Sequence, residues 1–346
     1  MKRIVVHIGA QRTGSDAIHK GLFANLDVFA RQGVLVPTTG RLEMSPQAVR
    51  HHLLPWSLDS AGEHPHNAQV WEALADEIER SQASTVLLSS ELFAPVAADP
   101  VAAPRLLERL HSLSDDVTLA FLARDQLGLL NSLYCHRVKS FQVTCDFDTY
   151  LDESADVRLY DLAEAFRPWY DAGAVGFVAV PWDEQSTDDA LAALLAACAI
   201  PMETSELVGA AGSDGDDLGP VGIEATRLLG AYLRGRFPDF RPGEPAARRL
   251  RRRAANAALA KGWCEEDFWG WTPRRADEAV ARYAASNQEF ARRTWGGDWS
   301  LPARRDRERN VAELVELNPI SVNRVHRFLT EMEKSFARLR TRQAAA

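Results

Sequence analysis

The stretch Val5–Leu22 reads VVHIGAQRTGSDAIHKGL. Its first part, with Ile4 before it, is a β-branched apolar run ending at Gly9, which predicts a short buried strand. Ile18, Leu22 and Leu26 then recur at helical spacing. A strand thus ends in the turn Gly9-Ala10-Gln11-Arg12-Thr13-Gly14-Ser15 and feeds a helix. Such a turn aims unpaired backbone N–H groups and the positive end of a helix dipole at one spot, which favours a bound phosphate. Arg12, Thr13 and Ser15 suit an anion, whereas Asp16 opposes one. Glycine-rich turns of this kind also occur in α/β proteins that hold no phosphate.

The glycines are spaced as in the loops that hold nucleoside triphosphates, but Ser15-Asp16 stands where those loops carry Lys and then Ser or Thr. The missing lysine argues against ATP hydrolysis, and the missing hydroxyl removes an expected magnesium ligand. The expectation is a phosphate site that works without metal.

With 346 residues, 46% of them hydrophobic, the chain is long enough to bury the core of an enzyme. A net charge of −8 speaks against a general nucleic-acid binder. No apolar run approaches the roughly 20 residues that span a bilayer. Met1-Lys2-Arg3 leads straight into the first strand, so the expectation is a cytoplasmic protein without a signal segment. Cys135, Cys145, Cys198 and Cys264 are scattered, without disulfide or zinc spacing. His51, His52, His64 and His66 lie in a polar, proline-bearing stretch between about residues 38 and 67 and read as solvated loop histidines, not metal ligands.

Further strands are expected at residues 33–37, 85–89, 117–122 and 175–180, separated by helical patterns, one of them at about residues 68–81. Near-continuous apolar strands alternating with helices predict an α/β fold with a parallel sheet covered on both faces. In such sheets ligands gather at the carboxyl ends of the strands. The first strand delivers the glycine loop, the strand 85–89 delivers Glu91, and the strand 117–122 delivers Arg124. Leu127, Leu130, Tyr134 and Val138 then mark a helix that carries Ser132 and His136. Taken alone, Arg124-Asp125 reads as a surface ion pair at a helix start, Glu91 as a helix-start carboxylate or a base, and His7 as a packed core residue.

The stretch HIGAQRTGSDAIHKGL resembles the strand, loop and helix with which bacterial sulfotransferases bind the 5′-phosphosulfate of 3′-phosphoadenosine 5′-phosphosulfate. FLARDQLGLLNSLYCHRVK is similar to their second motif, an arginine and a serine eight residues later that bind the 3′-phosphate. Arg124 and Ser132 have that spacing. GVLVP, VLLSSELF, LAEAFRPWYDAGAVGFVAVPWD and YAASNQEFARRTWGG add likeness in the same order, weakest between about residues 199 and 271.

The resemblance implies a P-loop NTPase-like sulfotransferase fold, with residues 1–200 as the cofactor-binding α/β core. Residues 201–346 would be a mainly helical part that completes the acceptor site and packs on the core. It implies 3′-phosphoadenosine 5′-phosphosulfate as donor, no metal, and a hydroxyl of a small molecule or glycan as acceptor. Arg12, Thr13, Gly14, Ser15, Asp16, Arg124 and Ser132 are the implied cofactor-binding residues. Glu91 is the implied general base, oriented by Ser89 and Ser90, with His136 as a second candidate, and Arg12 the catalytic cation.

Asp16 departs from the Ser or Thr usual there. It leaves open a non-catalytic adenine-nucleotide or partner-binding protein, and the fold leaves open a nucleotide-dependent kinase.

The last third carries five arginines between Arg248 and Arg253 beside Trp263, Trp269 and Trp271. The arginines read as a solvated helix face or a basic rim, the tryptophans as core or substrate cover. The segment 209–220 reads as a flexible acidic loop. The closing amphipathic helix packs on the domain or on a second copy, which leaves a homodimer open.

Overall fold

The computed structural model describes residues 2–42, 47–58, 69–171, 175–183, 189–209, 218–305, 307–312, 314 and 317–344. The chain starts with β1 (Arg3–Gly9), α1 (Ser15–Ala24), α2 (Leu26–Arg31), β2 (Val34–Leu35), α3 (Leu53–Trp56) and α4 (Gln69–Arg80). It continues with β3 (Thr85–Ser89), α5 (Phe93–Ala98), α6 (Ala102–Leu113), β4 (Val117–Ala123), α7 (Gln126–Lys139) and α8 (Phe147–Ser154). The remaining elements are α9 (Leu162–Asp171), β5 (Gly176–Pro181), α10 (Ala190–Ala197), α11 (Gly219–Arg236), α12 (Pro245–Ala260), α13 (Pro273–Trp295) and α14 (Pro319–Ala344). All five expected strands are present. His64, His66 and most of the acidic loop, residues 210–217, lie outside the described residues.

Two compact units divide the chain. One comprises residues 1–126, 157–213 and 281–302; the other comprises 127–156, 214–280 and 303–346. The first holds an all-parallel sheet in the order β2-β3-β1-β4-β5. Side chains alternate across a strand, so Ile4, Val6 and Ile8 pack on one face with Leu74 of α4, Phe93 of α5, Leu106 of α6 and Phe166 of α9. Val5 points to the other face, where Leu87 and Ala120 join Ile18 and Leu22 of α1 and Leu191 and Leu194 of α10. The sheet is therefore apolar on both faces, as the unbroken Val, Ile and Leu runs require.

The second unit is helical. Leu229 and Leu233 of α11, Leu250, Ala254 and Ala258 of α12, and Val325, Phe328 and Phe336 of α14 are buried. Trp263, Trp269 and Trp271 are buried as well, Trp263 with its ring 5.5 Å from that of Phe328. They belong to the core of this unit. Arg249, Arg251, Arg252 and Arg253 are exposed along α12. No helix among the described residues is long and apolar enough to cross a membrane. All four cysteines are free.

Candidate functional site

The alternation that sends Val5 toward α1 sends His7 the same way, one step nearer the carboxyl edge. Its register partners are Ser89 on β3 and Ala120 on β4. The apolar pair Val5 and Leu87 thus gives way to the polar pair His7 and Ser89, whose Nδ1 and Oγ are 2.7 Å apart. His7 Nε2 reaches Ser15 Oγ at 3.5 Å. Burial lowers the His7 pKa to about 3, so the ring is neutral.

The loop after β1 needs its glycines. Gly9 has φ +105° and lies so close to the turn after β3 that a Cβ would sit 2.8 Å from Glu91 Cα. Gly14 has φ +80°, and a Cβ there would sit 2.5 Å from Trp182 Nε1. Arg12 takes φ +63° without being glycine and is exposed at the loop tip.

Thr13 and Ser15 are buried and turn inward. Both hydroxyls donate to the Ala10 carbonyl, at 2.7 and 2.9 Å. Their hydrogens are committed to the loop itself, unlike the anion-facing donors expected of them. What the loop offers an anion is its backbone: α1 starts after Gly14 with no side-chain cap, so its first-turn N–H groups point outward.

Asp16 is neutralised by ion pairs with Lys20, at 3.2 Å, and with Arg50. Arg124 is no surface residue. It is 9% exposed, donates from Nη1 to the Arg12 carbonyl at 2.7 Å, and lies with its guanidinium 4.8 Å from the centre of the Trp182 ring. The end of β4 is thereby tied to the glycine loop.

Glu91 follows β3 in a turn, and α5 begins after it with no acidic residue in its first turn. The helix-start role therefore falls away. Its Oε2 is 3.7 Å from His19 Nε2 and its Oε1 is 3.7 Å from His52 Nε2. Burial raises the Glu91 pKa above the ordinary carboxylate range; Arg50 draws it down and Asp16 pushes it up.

His51 and His52 are not solvated loop histidines; both are buried. His51 Nε2 donates to the Pro37 carbonyl at 2.9 Å while its Nδ1 accepts from the Ser89 N–H at 3.0 Å. His52 Nδ1 lies 2.8 Å from Ser90 Oγ. Ser89 and Ser90 therefore position histidines, not the Glu91 carboxylate. Burial lowers His51 and His52 to about 4, with Arg50 adding to the shift at His52. Burial also lowers His19, helped by His7 and Arg50.

No family model, no curated protein and no solved structure matches this chain. The sulfotransferase likeness rests on its motifs alone.

The first unit brings together Arg12, Thr13, Gly14, Ser15, Asp16, Glu91 and Arg124. Ser132 and His136 belong to the second unit, half-buried on α7. Among the described residues no group of three His, Cys, Asp or Glu side chains is arranged to hold a metal ion. The residues missed by the sequence reading are His19, Arg50, His52 and Trp182. His19 was within reach: it lies four residues after Ser15 and three before Leu22, on one helix face.

Proposed function

We propose that the chain is a sulfotransferase that carries a sulfuryl group from 3′-phosphoadenosine 5′-phosphosulfate to a hydroxyl acceptor. The observation that supports it best is the uncapped start of α1 behind a glycine loop, ringed by Arg12, Lys20, Arg50 and Arg124, with Glu91 at the adjoining strand end. This donor set fits a polyanionic nucleotide. The Gly14–Asp16 backbone, Arg12, Lys20 and Arg50 would hold its 5′ end, and Arg124 its 3′-phosphate. The bound donor supplies a sulfuryl group on a phosphate leaving group.

The chain's own part is charge and proton handling. The Arg12 guanidinium stabilises negative charge building on the leaving oxygen. Glu91 accepts the hydroxyl proton, and the burial that raises its pKa makes it the stronger base. His19 and His52 stay neutral beside it, so neither lowers its basicity with a positive charge.

Calorimetry with 3′-phosphoadenosine 5′-phosphate, ATP and ADP, each with and without magnesium, tests the reading. Metal-independent binding confined to the 3′-phosphorylated nucleotide is the expected result; preference for ATP with magnesium supports the kinase instead. Asp16 in the anion loop favours a second reading, a nucleotide-binding module without catalysis. Binding without turnover across acceptors would establish that module.

A further inference from the structure

His19 is 1% exposed, and both its ring nitrogens are buried without a hydrogen-bond partner. Glu91 Oε2 is in the same condition 3.7 Å away. Whichever tautomer the ring adopts, one N–H is an unpaired donor, and a buried unpaired donor beside an unpaired acceptor is costly in a folded protein. Their separation is too long for a mutual hydrogen bond. An oxygen about 2.8 Å from each atom would span that separation, and because both atoms are closed to solvent the two side chains must part to admit it.

We infer that His19 and Glu91 form a seat for one uncharged hydroxyl group, which accepts from the imidazole N–H and donates to the carboxylate. A hydroxyl carries both roles on one atom, and so satisfies both orphaned groups at once. The surroundings define the ligand further. His7 and His52 flank His19, with ring centres 5.9 and 6.2 Å away, and Arg50 is close enough to act on both His19 and Glu91. An ammonium group would meet this cation and would have no lone pair to offer the imidazole N–H. The seat therefore selects alcohols and phenols over amines. Glu91, with its side chain 21% exposed, is the side from which the group enters. The inference builds on the sulfotransferase reading, in which this hydroxyl is the acceptor's, and makes His19 a substrate-touching residue.

The test is NMR of the full chain with ¹³C-labelled histidine at pH 7.5, titrated with phenol and, in parallel, with benzylamine, which is a cation at that pH. The His19 resonance, assigned by its loss in His19→Gln, should move saturably with phenol and not with benzylamine. Glu91→Gln, which keeps the side-chain size, should weaken the phenol response by about tenfold and leave the His7 and His51 resonances in place. If His19→Gln does not fold, Glu91→Gln moves the His19 and His52 resonances together, and the loss of one of them in His52→Gln leaves the other as that of His19. No saturable response to phenol, or an equal response to benzylamine, overturns the seat. Calorimetry with 3′-phosphoadenosine 5′-phosphate on the same sample separates the two claims. A phenol response without nucleotide binding removes the sulfotransferase reading and keeps the seat, and the converse removes the seat alone.

Discussion

His7 Nδ1 meets Ser89 Oγ at 2.7 Å inside the sheet, at the last step of the β1–β3 register. His19, His51 and His52 are buried around the same strand ends. Unfolded histidines take up a proton near pH 6.5, whereas folded His7 does so only near pH 3 and His51 and His52 near pH 4. The stability these groups contribute is complete above pH 6.5 and is lost as the pH falls toward 4. Glu91 acts in the opposite sense, since its raised pKa favours the folded state below the ordinary carboxylate range. The histidines outnumber it. Urea unfolding should lose about 1.4 kcal/mol per pH unit for each histidine kept neutral, between roughly pH 6 and pH 4. Stability that is flat over that range would mean the histidines titrate normally.

Arg124 both holds the Arg12 carbonyl and, in the proposed function, meets the 3′-phosphate. Arg124→Ala should weaken adenosine 5′-phosphosulfate modestly through the loosened loop. The loss for 3′-phosphoadenosine 5′-phosphate should be larger by about 1.5–3 kcal/mol, the worth of a charge-assisted contact. Equal losses in calorimetry would remove the 3′-phosphate assignment.

Asp16 competes with any bound anion for Arg50 and Lys20. Asp16→Asn should tighten pyrophosphate binding by about 1 kcal/mol at low salt, with the gain shrinking as salt is added. Weaker binding would show that the pairs hold the loop in its binding shape.

Gly14→Ala brings a Cβ against Trp182 at a positive φ. A loss of about 1–3 kcal/mol is expected, read as a lower Tm. Gly33, also at positive φ but with nothing near its missing Cβ, is the control, and alanine there should cost less.

Glu91→Gln should lower turnover by about 10²- to 10⁴-fold and leave nucleotide affinity nearly intact. Because Glu91 is buried with a raised pKa, the neutral amide should hold or increase stability at pH 7.5, where the carboxylate is least favourable. Retained turnover would pass the base role to another residue.

The strands were legible because parallel sheets buried on both faces demand short unbroken runs such as Val86-Leu87-Leu88 and Leu119-Ala120-Phe121. The places of Glu91 and Arg124 followed from the same runs, since each residue stands just past the end of one of these strands. The order β2-β3-β1-β4-β5 was not legible, because parallel pairing joins strands far apart in sequence without a local signal. His51 and His52 were misjudged for a related reason. Polar residues in an aperiodic stretch look solvated until the distant carbonyl of Pro37 and the hydroxyl of Ser90 satisfy them. The direction of the Thr13 and Ser15 hydroxyls was not legible, since it depends on one carbonyl, that of Ala10.

β1 is hydrogen-bonded on both edges, to β3 and to β4, and both partners follow it in the chain. Until residue 123 has been synthesised, at least one edge of this apolar strand has no native partner, and such an edge invites pairing with other chains. The nascent chain therefore carries this apolar strand, with the glycine loop attached, with one edge unpaired until β4 has been made. N-terminal fragments that stop before β4 should collect in inclusion bodies, while chains that extend beyond β5 should not.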